Sequence, residues 1–165
     1  MWRNINRMID FGIWLSFFVL ATVPVHEWFH WITGKALGGD MAAVTFPDLL
    51  SGRCSWHAAP DALWLVYLAG GLGTGLVFLA LAWRTIRTPT RQDDMIAFSA
   101  SIIGASQVGY GVGEMFVLWF PAWETLSTNA SAIVALLIVC RWAIPGLTRW
   151  LLDAPAPVNV RPSGH

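Results

Sequence analysis

The pentapeptide His26-Glu27-Trp28-Phe29-His30 holds the residues of this chain whose types and spacing are best suited to chemistry. On a helix the two histidines are four residues apart, so they lie on one face and can bind a single zinc ion. Glu27 stands beside them, where its carboxylate can accept a proton from a metal-bound water. The pattern predicts a zinc site with His26 and His30 as ligands and Glu27 as general base and proton shuttle.

The surroundings of this motif are those of a membrane protein. The chain has 165 residues, of which 56% are hydrophobic and only 12% are charged, whereas soluble domains are about 25% charged. Ionisable groups in lipid are costly unless they are paired or functional. The net charge is zero, so no bulk electrostatic field attracts nucleic acid. We therefore expect an integral, multi-pass membrane protein that lies in the lipid bilayer and does not bind nucleic acid.

A catalytic zinc ion usually has three protein ligands and one position left for water. Three residues are alternatives for the third ligand: Glu114, His57 and Asp61. Depth favours Glu114. If the first and third membrane helices start on the same side, Glu114 and both histidines lie about 22–29 Å along their helices at 1.5 Å per residue. His57 and Asp61 are expected on that same side of the membrane, so His57 is the first substitute.

Two further polar residues are candidates for substrate contact or support. Gln107 lies seven residues before Glu114, and thus on the same helix face. It can orient a ligand, bind a substrate backbone, or bond a neighbouring helix only. Tyr110, four residues before Glu114, can donate a hydrogen bond to a site oxygen or simply pack.

Four apolar segments must position these groups. A spanning helix takes about 20 mainly apolar residues. The predicted spans cover residues 8–37, 61–83, 94–120 and 127–152. The dipeptide Gly38-Gly39 is predicted to end the first helix. The fold class is therefore an all-α membrane protein with four transmembrane helices in one domain, residues 1–152, and the Pro-rich tail 153–165 is expected to be disordered.

The connection between the first two helices is predicted to differ from a simple linker. Residues 41–46 and 53–57 have β character, and Ser51-Gly52 is a predicted turn. A short β-hairpin-like loop at the membrane surface is the expectation. Its 41–46 edge offers a strand with which an extended substrate can pair.

Arginines give an orientation. With four spans, seven of them fall on the side of both termini, and only Lys35 and Arg53 fall on the other. The seven are Arg3, Arg7, Arg84, Arg87, Arg91, Arg149 and Arg161. The positive-inside rule then predicts that both termini are cytoplasmic.

The order of three stretches is also informative. They are Val25-His-Glu-Trp-Phe-His30 followed by Ala36-Leu-Gly-Gly39, then the β-like segment, then Leu68-Ala-Gly-Gly-Leu-Gly-Thr74. Over roughly residues 11–120, this order resembles the site-2 protease family of intramembrane zinc metalloproteases. The last stretch is similar to the family's Ala-Gly-Pro-x-x-Asn sequence, with Gly71 in place of Pro and Thr74 in place of Asn. Thr74 is thereby a candidate for substrate binding.

The resemblance implies a three-helix core whose third helix supplies a carboxylate ligand. In the family this ligand is an Asp in a Leu-Asp-Gly motif, which this chain lacks; Gly113-Glu114 offers the carboxylate instead. The better-known members open toward the cytoplasm, whereas the arginines here place the histidines nearer the outside.

The leading hypothesis is zinc-dependent hydrolysis of peptide bonds in a membrane-embedded peptide or protein. The alternative is a non-catalytic membrane partner or assembly subunit that keeps this fold. A transporter or ion-binding bundle is a third interpretation, which the few charged residues, confined to one level, disfavour.

Overall fold

A computed structural model describes residues 2–86, 93–123, 126, 129–135 and 137 of the chain. Three long helices and one β-hairpin form the described part. In chain order the elements are α1 (Trp2–Ala36), β1 (Asp40–Asp48), β2 (Ser51–Ala58), α2 (Leu63–Ile86) and α3 (Asp93–Val117), followed by a short 3₁₀ turn at Pro121–Trp123.

Within the described residues, three helices are long and apolar enough to cross a membrane: Met8–Ala36, Leu63–Thr85 and Met95–Val117. The prediction of a mainly helical membrane protein is confirmed to that extent, with the span limits within about three residues of those predicted. The fourth predicted span, 127–152, lies largely outside the described residues, although 129–135 are helical. The predicted disordered tail, 153–165, lies wholly outside them.

Helices α2 and α3 approach each other through glycines. A Cβ on Gly71 would overlap the backbone of Gly111, and one on Gly75 would overlap the backbone of Gly104. The two pairs run in opposite chain directions, so the helices are antiparallel. Without a hydrophobic driving force in lipid, such close backbone approach is the main means by which membrane helices gain packing energy.

The end of α1 follows the two glycines that predicted it. Gly38 has φ of 81°, a left-handed conformation that a residue without Cβ adopts freely. Gly39 N donates to Gly34 O at 2.8 Å and Gly38 N donates to Lys35 O at 3.2 Å. These two bonds form a Schellman motif, which satisfies carbonyls that the helix end leaves open. The chain therefore turns sharply and enters β1 at once.

The two strands are antiparallel and pair from Asp40↔Ala58 to Asp48↔Ser51. The turn is at Leu49-Leu50, so the prediction of a turn at Ser51-Gly52 is wrong by two residues. Asp48 explains the shift, because its carboxylate accepts hydrogen bonds from Leu50 N and Ser51 Oγ, both at 2.7 Å. These bonds hold the pKa of Asp48 below its ordinary value. An Asp at this position starts the turn through its own side chain.

The hairpin folds back along α1 instead of lying across the end of the bundle. At its base, the Trp56 ring lies over Gly34 and Gly39. Near its middle, the Cys54 thiol donates to Glu27 O at 3.5 Å.

At the hairpin tip, Leu50 and Ser51 line a cavity together with Thr22 and Val23. Thr22 is about 20 Å from the end of α1 at 1.5 Å per residue. A loop at the membrane surface was expected, but the hairpin instead extends along α1, the helix that carries the histidines, as far as Thr22.

Candidate metal centre

Helix α1 presents His26, Glu27 and His30 to the interior of the protein. All three are buried, with 8%, 6% and 8% of their surface exposed. One ligand atom from each lies within 4.8 Å of the others, so this group could hold a metal ion. The helical spacing of the two histidines brings their rings into contact, with centroids 4.5 Å apart.

Helix α3 adds a carboxylate to this group. Glu114 Oε2 lies 3.1 Å from His26 Nε2 and 3.7 Å from His30 Nε2. The two Nε2 atoms are themselves 2.8 Å apart. The structure thus brings Glu114 to both imidazoles, as the depth argument expected; its role as a metal ligand stays a prediction.

The opposite nitrogens of both rings are held by hydrogen-bond acceptors. His30 Nδ1 lies 2.6 Å from the carbonyl oxygen of Val66 on α2, and His26 Nδ1 lies 3.3 Å from Gln107 Oε1 on α3. A carbonyl oxygen only accepts, so each Nδ1 carries a proton, and in the neutral form of each ring this leaves the lone pair at Nε2. Outer contacts of this type fix the tautomer of metal-binding histidines.

In that tautomer, two imidazole lone pairs and a carboxylate oxygen converge on one point. Glu114 Oε2 is buried, and no described residue hydrogen-bonds to it. Acceptors that face one another repel unless a cation lies between them. The donor set, two nitrogens and one oxygen, is one that zinc takes in catalytic sites.

Two glycines make room for the site. A Cβ on Gly70 of α2 would overlap both imidazole rings, and one on Gly52 of β2 would overlap the carboxyl group of Glu27. Sequence reasoning missed both roles. Gly70 lies within the stretch that carries the family resemblance, but the residues next to Gly52 gave no signal that it would face Glu27.

Glu27 lies under the hairpin with one oxygen unused. Its Oε2 is buried and has no hydrogen-bond partner among the described residues. The Cys54 thiol nearby is half-buried, and desolvation together with the Glu27 carboxylate raises its pKa to about 12. The thiol is thus neutral at physiological pH.

Two cavities meet at Glu27, Gly52 and Glu114. The first, of about 240 Å³, is called here the aromatic cavity; its walls include Trp56, Leu63, Val66 and Tyr67. The second, of about 230 Å³, is called the polar cavity; its walls include Thr22, Ser51, Gln107 and Tyr110.

Each cavity contains one of the two tyrosines of the chain. The Tyr110 ring packs edge-on against His26, with centroids 5.5 Å apart, and the Tyr67 ring packs against His30 at 6.2 Å. The packing role considered for Tyr110 is thus present, and Tyr67 was not considered from the sequence. The two rings restrict each imidazole to the orientation that its Nδ1 contact favours.

The remaining predicted residues divide into two groups. Gln107 is at the site, where it contacts His26 and lines the polar cavity. Thr74 is fully buried and lines neither cavity, so the geometry does not support its predicted contact with substrate. His57 and Asp61 are exposed and also line neither cavity. Of the three alternatives for the third ligand, Glu114 alone lies against the histidines in the described part of the chain.

No family model, curated protein or solved structure matches this chain in comparisons with known proteins.

Proposed function

We propose that this protein is a zinc metalloendopeptidase that hydrolyses peptide bonds of membrane-associated substrates. One observation carries the proposal: His26 Nε2, His30 Nε2 and Glu114 Oε2 converge within 3.7 Å of one another beside the buried side chain of Glu27. The sequence resemblance to the site-2 protease family supports the same function. The proposed topology has four spans, with both termini in the cytoplasm.

His26, His30 and Glu114 would hold the zinc ion. The chemistry that the ion supplies when bound is polarisation of the scissile carbonyl and a lower pKa for a bound water. Val66 O and Gln107 Oε1 keep the Nε2 lone pairs aimed at the site. Glu27 accepts the proton from the attacking water at its free Oε2 and delivers it to the nitrogen of the leaving amine.

Hydrolysis consumes water, so a polar route must reach the buried carboxylates. The polar cavity is suited to hold this water, because its wall carries hydroxyl, amide and carboxylate groups from Thr22, Gln107 and Glu114. Groups of this kind give a water molecule the two to four partners that it needs in a protein interior.

A peptide substrate must lie next to β2 to reach the site. Both cavities are bordered by β2 residues, among them Gly52, and neither is bordered by residues 41–46. The expectation that substrate pairs with the 41–46 edge is therefore less suited to this geometry than a position between β2 and the helices.

Metal analysis combined with a cleavage assay tests the proposal. Purified wild-type protein is expected to hold about one zinc ion per chain, and His26→Ala and His30→Ala are expected to hold little. Equal metal in all three proteins contradicts the assignment of the ligands.

Glu27→Gln is the matched variant for chemistry, since it keeps the shape of the side chain and removes the base. It is expected to retain zinc and to lower hydrolysis of a co-expressed single-span substrate by about 10²–10⁴-fold. Undiminished cleavage by Glu27→Gln rules out the mechanism. Zinc binding without cleavage of a broad substrate panel favours the alternative, a non-catalytic membrane partner with the same fold.

A further inference from the structure

The two cavities differ in chemistry, although they are similar in volume and share the site residues Glu27 and Glu114. Apart from the site residues, Trp56, Leu63 and Tyr67 give the aromatic cavity a large apolar wall, and Arg53 and Cys54 of β2 border it on one side. The polar cavity instead has Thr22, Ser51 and Gln107 on its walls. A chain that crosses the site must place one side of its scissile bond in each, so the two sides meet different surroundings.

The cavities also differ in depth. The aromatic cavity reaches Leu63, the first residue of α2, and Ala59 before it. The polar cavity reaches Thr22 on α1, which is about 12 Å deeper than His30 at 1.5 Å per residue.

Tryptophans indicate where the bilayer lies. Trp31, Trp64 and Trp119 are exposed at the end of the bundle near the site, and Trp83 is exposed at the other end. Trp64 and Trp83 are about 28 Å apart along α2, close to the ~30 Å thickness of a bilayer core. Indole rings prefer the two membrane interfaces. The aromatic cavity thus lies at the interface, and the polar cavity lies closer to the bilayer centre.

We propose that these cavities select membrane segments with a large apolar residue on the surface side of the scissile bond and a small or polar residue on the bilayer-centre side. The order is the reverse of what lipid favours, where polar residues lie at the surface. The preference follows from the walls of the cavities. An apolar side chain gains most against Trp56 and Leu63, and a large side chain in the polar cavity would fill the space that hydrolysis needs for water. The inference rests on the proposed hydrolysis and specifies its substrate class.

A panel of single-span peptides tests this inference. The peptides are identical except for the two residues that flank the scissile bond. Written from the surface side inward, these are Phe-Ser, Trp-Ser, Ser-Phe or Ala-Ala. Wild-type protein in detergent is expected to cleave Phe-Ser about tenfold more efficiently, in kcat/KM, than Ser-Phe. Equal efficiency or the opposite order overturns the inference.

Variants of the cavity wall sharpen the test. Leu63→Ala enlarges the aromatic cavity and is expected to shift the preference from Phe toward Trp at the surface-side position. Leu76→Ala is the matched control, because Leu76 is exposed on the same helix and lines neither cavity. A change of preference in both variants, or in neither, contradicts the role assigned to the cavity.

Binding separates failure of this inference from failure of the proposed function. Fluorescently labelled forms of the same peptides are titrated with the Glu27→Gln protein, which is expected to bind substrate without cleaving it, and the dissociation constants are measured. If wild-type protein cleaves nothing, hydrolysis is refuted, and a tenfold tighter Kd for Phe-Ser than for Ser-Phe still supports the two cavities as selective subsites. Equal Kd values, or no binding, overturn the inference whatever the cleavage result.

Discussion

The two ends of the helix bundle use the same three helices for different purposes. At one end, Phe18 of α1 packs edge-on against Phe78 of α2, with centroids 5.3 Å apart, and Ala100 and Ile103 of α3 complete a buried apolar cluster. At the other end, α1 and α3 direct imidazoles and carboxylates into the interior. The first end is called here the apolar end and the second the metal end.

The difference lies in what each end lacks. The apolar end is stabilised mainly by contacts among its own side chains. The buried Ser99 hydroxyl there also lacks a partner among the described residues, but it is uncharged and does not attract a cation. The metal end has two buried carboxylate oxygens, on Glu27 and Glu114, without a hydrogen-bond partner among the described residues. A cation is therefore expected to stabilise the metal end and to leave the apolar end unchanged, and the effect of a substitution on zinc affinity should depend on the end at which it is made.

Glu114→Ala is expected to have the largest effect on affinity. It removes one of the three converging donors, so zinc affinity should fall by more than the about 10–100-fold typical of outer-shell changes. Isothermal titration with zinc in detergent measures this. Glu114→Asp should retain part of the affinity, and an unchanged affinity in Glu114→Ala would make His57 the first choice for the third ligand.

Gly70→Ala is expected to have the second-largest effect on zinc affinity. The added methyl group would overlap both imidazole rings, and overpacking of this kind costs about 1–3 kcal/mol, or roughly 5–150-fold if it is expressed in zinc affinity. Gly12→Ala is the matched control, because a Cβ there meets nothing within 4 Å. Equal affinities for the two variants would show that the rings move aside at no cost.

Gln107→Leu is expected to have a smaller effect. The change removes the acceptor 3.3 Å from His26 Nδ1, which holds the ring in orientation. Zinc affinity should fall about tenfold, near the lower limit for outer-shell partners. An unchanged affinity would indicate that packing against Tyr110 alone orients the ring.

Phe18→Ala should leave zinc affinity unchanged while it lowers stability. The free energy of unfolding is expected to fall by about 1–3 kcal/mol, less than the about 3–5 kcal/mol typical of cores in water-soluble proteins. The loss is smaller because unfolding in a membrane transfers the Phe side chain to lipid, which is as apolar as the protein core. Unfolding in a denaturing detergent, with and without zinc, measures both quantities. A large loss of zinc affinity would mean that the two ends are coupled.

Much of the site follows from local sequence. The spacing of His26 and His30 sets their shared face through helix geometry alone, and the apolar segments around them predict the three spans that the structure contains. Glu114 could be placed because its depth on α3 follows from counting residues along a helix. These inferences needed no knowledge of side-chain packing.

The rest depends on side-chain interactions, one of them local and the others long-range, that the pattern of residue types did not reveal. The dipeptide Ser51-Gly52 predicts a turn, but the turn lies two residues earlier. The reason is that the Asp48 side chain accepts hydrogen bonds from Leu50 and Ser51. The path of the hairpin along α1 depends on Gly52 and Trp56 meeting α1. Thr74 was assigned from the resemblance alone, and its helix turns it into the interior away from both cavities.

The order of the elements along the chain also sets when the site can work. Because the Schellman motif returns the hairpin onto α1 immediately, a nascent chain that has made β2 already holds both histidines, Glu27 and their cover. Glu114 emerges only near the end of α3, roughly 4–17 s after His30 at the usual synthesis rate of ~5–20 residues per second. A ribosome-bound intermediate would thus hold the histidines and Glu27 without Glu114, and the proposed metal site would be complete only after the third helix is inserted.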